Sequence, residues 1–210
     1  HHLRRTKFLK SSASCLTCTS RNGPEASSLS RLSTESAFNH SKIRCIAEMQ
    51  TIIRDNRVTE SKFTVVDCQA DLEFSNIILP LALFLERKAS LRTRADIGVW
   101  LEADEDIELI EEFAKQLPVI ALNFPAFNDG RAYSSANILR RKLGYQGEVR
   151  AIGDVRRDQL EQMIRCGFDS FALADGQDVQ AALSGIKSFS YSYQPSIDRP
   201  DPLFRQRNSS

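Results

Sequence analysis

One stretch of the chain decides the fold: Asn128–Asp154, with the sequence NDGRAYSSANILRRKLGYQGEVRAIGD. After a polar loop its apolar residues recur at helical spacing, so Ser135–Leu143 is predicted to be an amphipathic helix. Gly144 ends that helix, and Glu148–Gly153 is predicted to be the strand that follows. A loop, a helix, a turn with glycine and a strand, in this order, form half of a β–α–β crossover.

The alternation of strand and helix continues on both sides of this stretch. The predicted strands are Ile97–Leu101, Val119–Asn123, Val149–Ile152 and Ser170–Leu173. The predicted helices are Asp106–Gln116, Ser135–Leu143, Asp158–Cys166 and Val179–Ser188. Repeated βα units predict an α/β fold with a mainly parallel sheet and right-handed crossovers. The pattern is compatible with an open sheet and with a partial TIM-like barrel.

The segment before the repeat has a different pattern. Alternation within residues 51–66 predicts two short strands around Asp55-Asn56, which form a β-hairpin. Asn76–Leu85 is mostly apolar and contains Pro80, which is typical of a docking segment followed by a short helix.

Composition divides the chain into three parts. Residues 1–48 are rich in Ser and Thr and poor in acids, whereas MQTIIRDNRV, from Met49, has the pattern of a natural start. We expect residues 1–48 to be a disordered tail, either foreign to the native domain or an organelle transit peptide. Its CxxC pair, Cys15 and Cys18, is interpreted as incidental. Residues 49–194 are predicted to form a single α/β domain, and residues 195–210 a solvated, disordered tail.

Charge and hydropathy exclude several classes of partner. The formal net charge of the 210 residues is +1, which gives no electrostatic reason to expect binding to nucleic acid or to an anionic membrane. No window approaches the roughly 18 apolar residues that a membrane span requires. We therefore expect a soluble, cytoplasmic protein.

Histidine and cysteine usage limits the chemistry. The three histidines are His1, His2 and His40, so the α/β part has none. Histidine-based catalytic triads are thereby excluded from that part, and a zinc or non-haem iron site would lack its usual imidazole ligands. The five cysteines do not suggest a disulfide framework in a chain of this size, and Cys166 is interpreted as a small core residue.

Ligands of a parallel α/β sheet bind at the carboxyl ends of its strands. The loops after the four predicted strands carry the polar residues Glu102, Asp104, Asp106, Asn123, Asp129, Arg131, Tyr133, Ser134, Asp154 and Asp175. We expect all of them to face one rim of the sheet.

An oxyanion site is one hypothesis for this rim. Arg131, Tyr133 and Ser134 directly precede a predicted helix, where free amides and the helix dipole favour an anion. A guanidinium adds bidentate recognition and the two hydroxyls add neutral donors, so sulfite, sulfate or phosphate is a candidate ligand. Alternatively, Asp129 and Ser134 only shape a turn and a helix cap, with Arg131 in solvent.

Arg150 occupies the middle of a strand in a covered sheet, so its side chain is expected to be buried and paired with an acid. The candidate partners are Asp154, Glu102 and Asp129. Such a pair would be a structural salt bridge. In the alternative, Arg150 points along the rim and joins Arg131 in a two-arginine anion clamp.

A magnesium site is a further hypothesis. Glu102, Asp104 and Asp106, with Asp154 or Asp175, offer the hard oxygen ligands that Mg²⁺ prefers. The cap and first turn of the next helix also explain Asp104 and Asp106, so we expect no metal.

Three segments together carry a family resemblance: GVWLEADED (98–106), LPVIALNFPAFNDG (117–130) and GRAYSSANILRRKLGYQGEVRAIGDVRRDQLEQMIRCGFDSFAL (130–173). In this order they resemble the bacterial family called domain of unknown function 934, and the resemblance extends over roughly Met49 to Gln194. Members of that family are often labelled as oxidoreductases involved in sulfite reduction.

The resemblance implies an accessory protein of assimilatory sulfite reduction, with sulfite reductase as a partner. The residues agree that the chain is not a self-sufficient oxidoreductase, because no GxGxxG follows a strand and no cluster-binding cysteine set is present. We expect no cofactor. One alternative is a small enzyme for proton transfer or lyase chemistry on an anionic substrate. Another is an interaction module that forms a homodimer through Ile77–Leu85 or the strand edges.

Overall fold

The structure is a computed structural model, and it describes residues 50–66, 74–91, 93–186 and 193–206. All of these residues fall within one structural unit, 40–210. The predictions made for residues 1–48, including the CxxC pair, lie outside the described residues.

Eight strands form one sheet in the order β2-β1-β8-β7-β6-β5-β4-β3. The strands are β1 (Thr51–Arg54), β2 (Arg57–Glu60), β3 (Thr64–Val65), β4 (Ile77–Pro80), β5 (Ile97–Leu101), β6 (Val119–Phe124), β7 (Glu148–Gly153) and β8 (Ser170–Phe171). Strands β3 to β8 are parallel, and the hairpin of β1 and β2 joins β8 in antiparallel orientation. The predicted α/β fold with a mainly parallel sheet and a preceding hairpin is therefore confirmed.

The hairpin turn consists of Asp55 and Asn56, as the sequence predicted. Both residues have left-handed backbones, with φ of 51° and 56°. Two consecutive positive φ values match the right-handed twist of the flanking strands, and Asn and Asp tolerate this conformation better than most residues do.

A short connection shows that the sheet is curled. Strands β2 and β3 lie at opposite edges, yet only Ser61–Phe63 separates them in the chain. In a flat sheet of eight strands the edges would be roughly 34 Å apart. The chain from Glu60 to Thr64 can reach at most roughly 14 Å. The sheet is accordingly a curled half-barrel, which resolves the choice between open sheet and partial barrel.

Helices cover the outer face of the sheet. They are α1 (Leu81–Glu86), α2 (Lys88–Leu91), α3 (Glu111–Ala114), α4 (Arg131–Arg141), α5 (Leu160–Cys166) and α6 (Val179–Gly185). A further short helix, α7 (Leu203–Gln206), lies in the carboxyl-terminal segment. The 3₁₀ turns Ile107–Ile110 and Arg157–Gln159 lead into α3 and α5. The large core lies between sheet and helices, and includes Val99 and Ile120 from the strands and Leu139 and Leu160 from the helices.

A second, smaller core fills the concave face. Its buried residues come from five strands and from the residue after β8, and they are Ile52, Ile78, Trp100, Val119, Ala121, Ile152 and Ala172. Phe63 and Val65 pack against it, and the Trp100 indole donates a hydrogen bond to the carbonyl of Val66 at 3.1 Å. The segment from β2 to β3 therefore lines the interior of the half-barrel.

Some predicted boundaries differ from the structure. Residues Ile77–Pro80 form a fully integrated parallel strand, β4, where the sequence predicted only a docking segment; the short helix after it is confirmed. Helix α4 begins at Arg131 instead of Ser135, and Gly130 occupies its N-cap position. Ser134 therefore lies inside the helix, so the alternative interpretation in which Ser134 caps it is wrong.

Residues 193–206 contact the rest of the fold, although the sequence predicted a solvated tail from Pro195. The N–H of Ile197 donates to the carbonyl of Arg165 on α5, and the Arg165 guanidinium donates to the carbonyl of Gln194. Ser196 is buried, because this segment lies against α5. Among the helices described, none is both long and apolar enough to cross a membrane.

Candidate functional site

The carboxyl ends of β5, β6 and β7 bring three loops to one edge of the half-barrel, which we call the rim. Phe127, in the loop between β6 and α4, donates its N–H to the Asp154 carboxylate after β7 at 3.1 Å. The same loop carries Arg131, whose pKa is raised by Asp129 and, to a lesser degree, by Asp104 and Glu102 after β5. These carboxylates and Arg131 therefore share one edge of the sheet.

Two Asp-Arg pairs occupy equivalent positions in the loops that follow β6 and β7. Arg131 binds Asp129, with a shortest distance of 2.6 Å, and Arg156 binds Asp154 at 2.9 Å. In both pairs the guanidinium is the main reason that the pKa of the carboxyl is lowered. Each pair has the spacing Asp-x-Arg. That repeated spacing is the sequence signal that could have identified Arg156, which the sequence analysis missed.

Phe127 and Gln159 are the other rim residues that sequence reasoning did not find. The Phe127 ring is exposed and stacks beneath the Arg156 guanidinium, 5.1 Å from its carbon to the ring centroid. Buried Gln159 donates to the Phe127 carbonyl at 3.0 Å and accepts from the Arg156 N–H at 3.0 Å. The Phe127 loop is thus held by side chains from the start of α5.

A carboxylate cluster lies after β5. The Asn123 amide donates to Glu102 at 2.8 Å, and the Glu105 carboxylate accepts the Glu102 N–H at 2.7 Å. Burial raises the pKa of Glu105, and the charges of Glu102 and Asp104 raise it further, against the lowering effect of that N–H. Glu105 is accordingly a rim acid with a displaced pKa. The sequence around Glu105 did not predict the raised pKa, because the pKa is raised mainly by burial in the folded chain.

The predicted oxyanion residues do not share one environment. Arg131 binds Asp129, whereas the Tyr133 ring packs edge-on against Phe124 and Phe168, with centroids 5.3 and 6.4 Å away. Burial raises the pKa of Tyr133. Ser134 is exposed on α4. Two helix positions separate Arg131 from Tyr133, and side chains two apart on a helix point in different directions.

Arg150 is buried, as expected, but its partner differs from the predicted ones. It binds Glu148 at 2.6 Å and donates to the Ser61 hydroxyl at 2.7 Å, inside the half-barrel. The prediction of Asp154, Glu102 or Asp129 as its partner is wrong, because Glu148 lies two residues earlier on the same face of β7. This interior position separates Arg150 from Arg131, so the two do not form a clamp at the rim.

The second oxygen of Glu148 binds Arg54 of β1 at 2.8 Å. Ser170 of β8 is in register with both Arg150 and Arg54, and its hydroxyl is a buried group without a described hydrogen-bond partner. The interior polar cluster therefore connects β1, β7 and the Ser61 segment. Its role is to hold these strands together.

Three of the acids considered for magnesium have other partners: Glu102 binds the Asn123 amide, Asp154 binds Arg156, and Asp106 forms a helix cap. Asp106 caps the 3₁₀ turn before α3 by accepting the Glu108 N–H at 2.9 Å. Within the residues that the structure describes, no three His, Cys, Asp or Glu side chains are grouped so as to hold a metal ion. Burial raises the pKa of the Cys166 thiol, which does not favour the reactive thiolate.

Comparison with known proteins adds one finding. The family model described as "Bacterial protein of unknown function (DUF934)" matches residues 98–204, from β5 to α7. No curated protein and no solved structure matches the chain.

Proposed function

The chain belongs to the DUF934 family of bacterial proteins of unknown function, and on this premise we propose that it is an accessory protein of assimilatory sulfite reduction. It would contact the reductase and assist it, while the redox centre remains in the reductase. The link to sulfite reduction comes from the label that members of this family often carry.

The rim is the observation that supports an accessory role. Its arginines are each bound to an aspartate, and Glu102 is bound to Asn123, so these side chains stabilise loops. The same loops present an aromatic ring to solvent at Phe127. Fixed loops with arginine and an exposed aromatic residue are typical of recognition surfaces between proteins.

The sequence is in accord with this role. No GxGxxG follows a strand, and the described part of the chain contains one cysteine, Cys166, and no histidine. Dinucleotide-binding folds and iron–sulfur proteins use those residues for their cofactors.

The test is direct binding to sulfite reductase. We expect the tagged full chain to retain purified sulfite reductase on a column, and to change its sulfite-dependent oxidation of reduced methyl viologen. The chain alone should oxidise neither reduced methyl viologen nor NADPH when sulfite is added. Failure of both binding and rate change, at concentrations up to tens of micromolar, would falsify the proposal.

A small enzyme is the second candidate function, and the observation that favours it is Glu105. A partly buried acid with a raised pKa, next to the ionisable Glu102, is the arrangement that general acid catalysis uses. This candidate predicts that protonated Glu105 donates a hydrogen bond to the anion, so that sulfite, sulfate or phosphate raises the Tm of the chain at low pH and raises it less as the pH rises, whereas Glu105→Gln keeps the full shift at neutral pH. The control is Glu112→Gln, an exposed acid of α3. Equal shifts in both variants would count against an active site at Glu105.

A further inference from the structure

We draw no further inference here: the strongest candidate, the acidic surface patch on the 3₁₀ turn and α3 where exposed Leu109 is flanked along the helix by Asp106 and Glu112, is a cluster of carboxylates, and nothing in the part of the chain that the structure describes shows what covers it.

Discussion

Glu148 and Arg150 extend from the same face of β7 into the half-barrel and bind each other at 2.6 Å, with side chains that are 3% and 1% exposed. Glu148 also binds Arg54, and Arg150 also binds Ser61, so one ion pair links the hairpin, the central sheet and the connection that closes the curl. In a low-dielectric interior such a pair is stable only while both charges remain paired.

Removing the charge of Glu148 should destabilise the fold strongly. Glu148→Gln leaves the Arg150 guanidinium buried without its counter-ion, and breaking a buried pair in this way costs about 3 kcal/mol or more. Urea unfolding measures the loss. Glu108→Gln is the control, since its pair with Lys142 is about half exposed and should contribute less than about 1 kcal/mol. Similar losses in the two variants would contradict the structural role of Glu148.

Gly153 should not tolerate a side chain. Its φ of +92° is strained for alanine, and a Cβ there would collide with the Asn123 side chain and the Phe124 carbonyl. Gly176 has a similar φ, +80°, but open space around it. We expect Gly176→Ala to cost about 1 kcal/mol from backbone strain, and Gly153→Ala to cost about 2 kcal/mol more from the collision. Equal midpoints in urea for the two variants would show that the contacts of Gly153 are not tight.

Arg140 should resist replacement by lysine. Its guanidinium donates to the carbonyls of Gly167, Tyr145 and Gly147 and to the Asp169 carboxylate. An ammonium group cannot reach these acceptors together, so Arg140→Lys should lose about 2 kcal/mol or more of unfolding free energy.

The control for Arg140 is Arg141→Lys. Arg141 is the next residue of α4 and is exposed, so lysine there should change stability by less than about 0.5 kcal/mol. If thermal or urea unfolding gives both variants the same stability, the network around Arg140 contributes nothing measurable.

The Phe127 loop should respond to acid through Asp154. Arg156, and to a smaller degree the Phe127 N–H, lower the pKa of Asp154 in the folded chain. The stabilisation from this carboxylate is therefore complete above the unfolded pKa of about 3.9, and it is lost as the pH falls through the lower folded pKa. We expect the NMR shift of the Phe127 amide proton to titrate with a midpoint below that value. In Asp154→Asn the titration should disappear, and a persistent midpoint would assign it to another group.

The sequence predicted the structure best where an element is determined by its own residues and their immediate neighbours. The central strands are short apolar runs between polar loops, so Ile97–Leu101 was predicted with the observed bounds. Gly167 ends α5 with a left-handed φ of 108°, and Asn56 turns the hairpin, because few residue types adopt these backbones easily.

The differences between the predicted and the observed elements come from contacts between residues that are far apart in the sequence. Residues Ile77–Pro80 were not predicted to be a strand because Pro80 disfavours one, yet the proline is tolerated at the carboxyl end of β4, next to a helix. Helix α4 starts at Arg131 because Tyr133 gains its burial against Phe124 and Phe168, contacts that no local pattern shows. The partner of Arg150, in contrast, could have been predicted from the sequence. Side chains two residues apart in a strand point to the same face, so Glu148 and Arg150 must lie side by side.

The pairing of the hairpin with β8 has a consequence for biosynthesis. Ile53 lies beside Phe171 in the sheet, so β1 leaves the ribosome long before its neighbour has been translated. Strand β1 can pair with the rest of the sheet only after β8, the last parallel strand, has formed. This pairing joins residues that are far apart in the sequence, so it is expected to be a late folding step. Until then the hairpin carries an unsatisfied edge, and a cell under heat stress would be expected to lose newly made chains to aggregation before it loses mature ones.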